Sequence, residues 1–347
     1  MDFKLLDSHL RLTSEQTEFT NFIKHFTGLQ TDDTKERDPD IYVNLILNDS
    51  FQINKNHRQI SRSVWVGNSS VFISEIERFP GLKLEARTEQ NRLYVDAFLT
   101  TINQPLVERI ISYVRSKKSF KEFQLIGLLY YIIFIPFFYY LERFRNLFLL
   151  HASAIKYHEK GVILSGLGGI GKSTFSLGTL LLKGCTFISD NLIFYDYQNI
   201  YSCPEPIALD TRSIDILKDV TKLLIPKRFE FTHGRMWYKI KQEAISSEAI
   251  PKYLFWLQCG NENKILPLDK DTCIRHLLNI NLLAKEVREY YILAAAFDLV
   301  LPKSLSRNSY GKTLTSLLSS VDCFVLQFKP GDDLETVFNK TLNRVLL

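Results

Sequence analysis

Gly166, Leu167, Gly168, Gly169, Ile170, Gly171, Lys172 and Ser173 have the types and spacing of a phosphate-binding loop, GxxxxGKS. Glycines let the backbone curl until successive N–H groups point inward, and the helix that follows presents its positive dipole end to an anion. Lys172 can then reach the outer phosphates. Ser173 offers a hydroxyl to a magnesium ion that bridges phosphate oxygens, and Thr174 supports the same turn. The chemistry is that of a nucleoside triphosphate, with ATP and Mg2+ as the expected pair; the loop does not itself choose between ATP, GTP and pyrophosphate.

Two elements must hold this loop. Residues 161–165 are apolar and β-branched, as a buried parallel strand should be, and residues 173–183 have helical composition up to Gly184. A further strand is expected over 186–190, directly beside the loop strand, ending in Asp190 eighteen residues after Lys172. There its carboxylate would project toward the phosphates and manage metal or acceptor proton. His151 stands ten residues before the loop strand, among leucines, and suits either a core position or an orienting role in catalysis. Arg228, His233 and Arg235 follow with no motif to fix them.

The chain has 347 residues, 46% of them hydrophobic and 13% aromatic, enough for one large or two ordinary domains. A net charge of +5 with mixed signs argues against a nucleic-acid partner. Five cysteines without short paired spacing draw neither a zinc site nor a disulfide framework, and with a charged N-terminus they point to the cytoplasm. Residues 125–141 run without a charge but carry Tyr130, Tyr131, Pro136, Tyr139 and Tyr140, so a buried helix packed on the nucleotide domain is expected, not a membrane span.

Short strands are expected around 41–47, 63–66, 71–74, 82–86 and 93–99, after a polar loop over 31–39. From Pro105 the pattern turns helical, with apolar residues at helix spacing over 106–116. The expected organisation is a small sheet-rich α+β domain over 1–115 for substrate or partner recognition, then an α/β nucleotide-binding and catalytic domain over 116–347. Later elements are an extended link through Cys203, Pro204, Glu205 and Pro206, strands at 253–258 and 323–328, and a helix over 271–283.

His151 in its leucine-rich segment, the loop 166–173, and Gly184 followed six residues later by Asp190 and Asn191 together resemble the C-terminal catalytic domain of HPr kinase/phosphorylase and its relatives. The resemblance is firm over 147–192 and thin to 345, and the closer likeness is to related kinases of peptide-tailoring gene neighbourhoods. It implies the P-loop kinase fold shared with phosphoenolpyruvate carboxykinase. It also implies nucleotide binding by the loop, metal held by Ser173, Asp190 and Asn191, and His151 and Asp190 managing the proton of an attacking serine hydroxyl. Asn191 stands where the family has a second aspartate; an amide carbonyl can ligate metal but cannot take up a proton. The family's glutamate-arginine-glycine signature is not found.

The expectation is therefore an ATP- and Mg2+-dependent kinase acting on a hydroxyl, serine first, of a peptide or small protein. A small-molecule acceptor such as free serine, and a nucleotide-gated regulatory module with little catalysis, stay open, as does assembly into a homo-oligomer.

Overall fold

The computed structural model describes residues 1–32, 38–47, 53, 55–77, 79–100, 120–230, 235–301, 308–329, 331–332 and 337. The expected helix over 106–116 and His233 lie outside the described residues, as does most of the polar loop over 31–39. The chain divides into two compact units, Met1–Asn146 with Glu289–Ser306, and Leu147–Arg288 with Arg307–Leu347. The division falls at 146/147, beyond the expected 115/116, because the aromatic helix packs on the sheet of the first unit.

That first sheet joins β1 (Asp2–Leu5), β2 (Ser8–Ser14), β3 (Gln30–Asp32), β4 (Ile41–Leu47), β5 (Arg58–Gln59), β6 (Val64–Val66), β7 (Ser70–Ile73), β8 (Leu82–Glu89) and β9 (Arg92–Leu99). Their order is β3-β1-β2-β4-β9-β8-β7-β6-β5. Period-two alternation gives it one apolar face: Ile41, Val43 and Leu45 on β4 and Leu93, Val95 and Ala97 on β9 are buried. The helix Thr17–Phe26 buries Phe19, Phe22, Ile23 and Phe26, a stripe at helical spacing.

The aromatic helix runs through Phe120–Leu129, a π turn at Tyr130–Phe134, and Ile135–Arg145. The π turn ends two residues before Pro136, which has no N–H to give to the helical ladder. Among the described residues this is the one helix long and apolar enough to cross a membrane, and most of its apolar stretch within Leu125–Arg145 is buried. Its tyrosines are compatible with burial because their hydroxyls are satisfied: Tyr131 donates to Glu289 at 2.9 Å, Tyr139 to Asp298 at 3.1 Å and Tyr140 to Asp40 at 3.1 Å.

The second unit contains β10 (Phe148–Leu150), β11 (Ser153–Tyr157), β12 (Lys160–Ser165), β13 (Cys185–Ser189), β14 (Ile193–Tyr195), β15 (Ile200–Ser202), β16 (Ile207–Asp210), β17 (Leu224–Glu230), β18 (Arg235–Ile240), β19 (Glu248–Cys259), β20 (Lys264–Pro267) and β21 (Asp322–Phe328). The main sheet runs β10-β14-β15-β19-β12-β11-β13, with β21 also paired to β19 and β20 to β21. At its centre β12, β19 and β21 are parallel. Val162 and Leu164 of β12 bury against Phe255 and Leu257 of β19 and Phe175 of the helix after the loop. A mixed α/β architecture with several sheets results.

One expectation fails here. β13 does not lie beside β12: β11 stands between them, antiparallel to both. The sequence places β11 and β12 in a tight hairpin turned at His158, whose φ is 50°, and that local pairing takes the neighbouring position. The helix after the loop is also shorter than expected, Lys172–Gly178 with a 3-10 turn at Thr179–Leu181. The helix expected over 271–283 is Lys270–Leu283, capped by Asp269, whose side chain accepts from Thr272 N at 2.9 Å.

Candidate functional site

The loop 166–171 leaves the end of the central strand β12 and enters the helix Lys172–Gly178. Gly166, Gly169 and Gly171 have φ of 146°, 77° and 99°, a region that favours glycine. Gly166 has a second constraint, since a Cβ there would stand 2.9 Å from the Leu257 carbonyl oxygen of β19. The loop therefore closes against the sheet at Gly166 and is open at Gly168, where a Cβ would meet nothing within 4 Å.

Lys172 folds back over the loop, its Nζ donating to the carbonyl oxygens of Gly166 at 3.0 Å and Leu167 at 3.4 Å. Burial lowers its pKa, and the charge of Asp190 works in the opposite direction. Asp190 is 9% exposed, and Ser153 Oγ of the intervening strand β11 donates to its Oδ1. The strand that separates Asp190 from the loop strand thus also fixes its carboxylate.

His151 is half-buried, and its pKa is lowered to about 4, first by burial and then by the charge of Lys172, against a hydrogen bond with the Asn191 backbone. It is neutral at ordinary pH. Its Nδ1 is buried with no hydrogen-bond partner, and so is Oγ of Ser165, the residue before the loop. Asn191 holds a left-handed φ of 67° and donates from Nδ2 to Glu205 Oε2 at 3.1 Å. Thr174 Oγ1 lies 3.3 Å from Ser213 Oγ, and the Ser213 backbone N–H is capped by Asp210 at 2.7 Å. The Ser173 backbone carbonyl accepts from Ser176 Oγ at 3.1 Å.

The fold brings Lys172, Asp190, His151 and the Asn191 backbone into one interacting group. The side chains of Arg228 and Arg235 lie outside the described residues. Among the described residues no group of three or more His, Cys, Asp or Glu side chains could hold a metal alone. Oxygen donors from Ser173, Asp190 and Asn191 do match the hard-cation chemistry of Mg2+, which keeps several waters and binds through few protein ligands plus phosphate.

Two residues of this neighbourhood are not apparent from sequence patterns. Asn281, 2% exposed on the helix Lys270–Leu283, accepts from His151 N at 2.6 Å and donates to Leu149 O at 2.9 Å, an amide standing in for a strand edge. No sequence signal ties it to a histidine so far upstream. Glu205 carries a weak signal, since Pro204 and Pro206 on either side force an extended backbone.

No protein-family model and no curated protein matches the chain. Among solved structures it is similar to the HPr(Ser) kinase/phosphatase from Coxiella burnetii, at 17% identity over 56% of this chain and 88% of that one, with a TM-score of 0.28.

Proposed function

We propose that the chain is an ATP- and Mg2+-dependent kinase that transfers the γ-phosphate to a hydroxyl, with a serine of a peptide or small protein as the first candidate acceptor. The observation that carries this reading is a glycine-rich loop that opens a helix, with Lys172 bonded to the loop carbonyls and close enough in charge to feel Asp190 and to act on His151. Phosphoryl transfer needs positioning and charge neutralisation more than covalent chemistry, and these groups supply both.

In this reading loop N–H groups and Lys172 hold the β- and γ-phosphates, Lys172 exchanging its loop carbonyls for phosphate oxygens. Ser173, Asp190 and the Asn191 carbonyl are the residues that would hold Mg2+, which when bound spreads the phosphate charge. Asp190 Oδ1 is taken by Ser153, so Oδ2 is the oxygen left to accept the acceptor proton. As the acceptor oxygen bonds to the γ-phosphorus, the bond from that phosphorus to the β–γ bridging oxygen breaks and ADP leaves. His151, held neutral, orients the acceptor and adds no charge of its own.

The test is transfer from labelled ATP with Mg2+ into peptides, proteins and small hydroxyl compounds of the source cell, comparing native chain with Lys172→Ala and Asp190→Ala. Label that vanishes with both changes supports the kinase, and its mass tells peptide from metabolite. A second reading, a nucleotide-gated module, is favoured by Asn191 in the acidic position. Nucleotide binding lost with Lys172→Ala but no label from native chain would select it.

A further inference from the structure

Asn191 is the odd member of this site, an amide where proton or metal chemistry would use a carboxylate. Its edge is not free to turn. Glu205, when ionised, only accepts hydrogen bonds, and Asn191 Nδ2 donates to its Oε2 at 3.1 Å. The amide nitrogen is thereby committed to Glu205, and Oδ1 becomes the atom Asn191 has to offer. A neutral amide alone could present either edge; beside an acceptor-only partner it presents one.

The backbone around this pair is tied as tightly. Ser189 Oγ lies 2.6 Å from the Leu192 carbonyl oxygen and 2.9 Å from that of Cys203, its single proton shared between them, and it accepts from Cys203 N at 3.2 Å. These bonds, from a fully buried serine, close the turn that carries Asp190 and Asn191 onto the segment that carries Glu205. Pro204 and Pro206 stiffen that segment, and Glu205 N donates to Cys203 O at 2.8 Å. The two backbone segments cannot drift apart without breaking a buried network, so the Asn191 and Glu205 side chains start from fixed neighbouring positions.

Resting on the kinase reading of this site, we propose that Glu205 is a positioning residue for its divalent cation: it locks the Asn191 amide so that Oδ1, not Nδ2, is offered to the metal–nucleotide complex. The negative charge the site lacks at residue 191 is thus displaced one hydrogen bond outward, and the ligand itself stays neutral. An amide free to flip would present N–H groups to a cation and oppose its binding.

A double-mutant cycle on the full chain tests this, with Mn2+–ATP as probe and bound Mn2+ read by water-proton relaxation. Glu205→Ala should weaken Mn2+–ATP binding about tenfold, as loss of a charge-assisted hydrogen bond does. Metal-free binding of a fluorescent ATP analogue should stay within about twofold, which a general collapse of the fold would not allow. In an Asn191→Ala background the same Glu205→Ala change should alter Mn2+–ATP binding by less than about twofold, because nothing is left to orient. Glu205→Gln, which can donate or accept, should fall between native and Glu205→Ala. Equal losses in both backgrounds, or no loss from Glu205→Ala, overturn this inference while leaving the nucleotide site standing. Failure of the native chain to bind Mn2+–ATP overturns the kinase reading itself.

Discussion

Ser153 donates its hydroxyl to Asp190 Oδ1 from the strand that separates Asp190 from the loop strand. Both residues are buried, so the bond is charge-assisted and shielded from water. Ser153→Ala is expected to cost about 1–3 kcal/mol of stability, the range for leaving a buried polar group without its partner. It should also lower kcat for phosphoryl transfer more than it raises KM for ATP, since the loop and Lys172 are untouched. Denaturant melts with steady-state kinetics check both; a change in KM alone would mean that Asp190 does not depend on Ser153.

The loop glycines separate by geometry. Gly166→Ala puts a methyl 2.9 Å from the Leu257 carbonyl at a φ of 146°, whereas Gly168 has open space around it. Gly166→Ala should lose about 1–3 kcal/mol of stability through backbone strain. Gly168→Ala should stay within about 0.5 kcal/mol of native, as surface changes usually do. Thermal melts of the two proteins without nucleotide decide it, and equal shifts would contradict the loop conformation.

Much of this was legible from local pattern. The apolar run before Gly166, the strands β4, β8 and β9, and the helix Lys270–Leu283 all follow from periodicity and punctuation within a dozen residues. What escaped was non-local. β11 enters between the loop strand and Asp190 because a hairpin turn at His158 outcompetes a longer crossover. Asn281 reaches His151 across 130 positions, and Glu205 reaches Asn191 through a turn tied by Ser189. The unit boundary moved because the segment from Glu289 onward joins the aromatic helix, satisfying Tyr131 and Tyr139 with carboxylates no local pattern associates with them.

Lys172 is an ammonium bonded to the carbonyls of its own loop, its pKa lowered by burial. Its replacement should therefore separate stability from binding. Lys172→Met removes a desolvated charge and keeps most of the stem's packing, so the nucleotide-free protein should melt at or above the native temperature. ATP binding by calorimetry should fall at least about a hundredfold, since the phosphates lose a buried cation. A variant that melts lower and still binds would show that Lys172 serves the loop's structure and not the phosphates.

His151 gives the fold a pH dependence whose sign is fixed. An unfolded histidine takes up its proton near pH 6.5, while burial and Lys172 hold the folded one down to about 4. Between these values the unfolded chain binds more protons, so stability is fully present above about pH 6.5 and declines as pH falls toward 4. The shift corresponds to at most about 3 kcal/mol. His151→Gln, uncharged throughout, should flatten the decline between about pH 6.5 and 5, before most carboxylates titrate. Urea melts of both proteins at half-unit steps measure the difference; parallel curves would mean that His151 protonates as readily folded as unfolded. Activity should likewise lack an acid limb near pH 6.5 from this residue, because the imidazole stays neutral there.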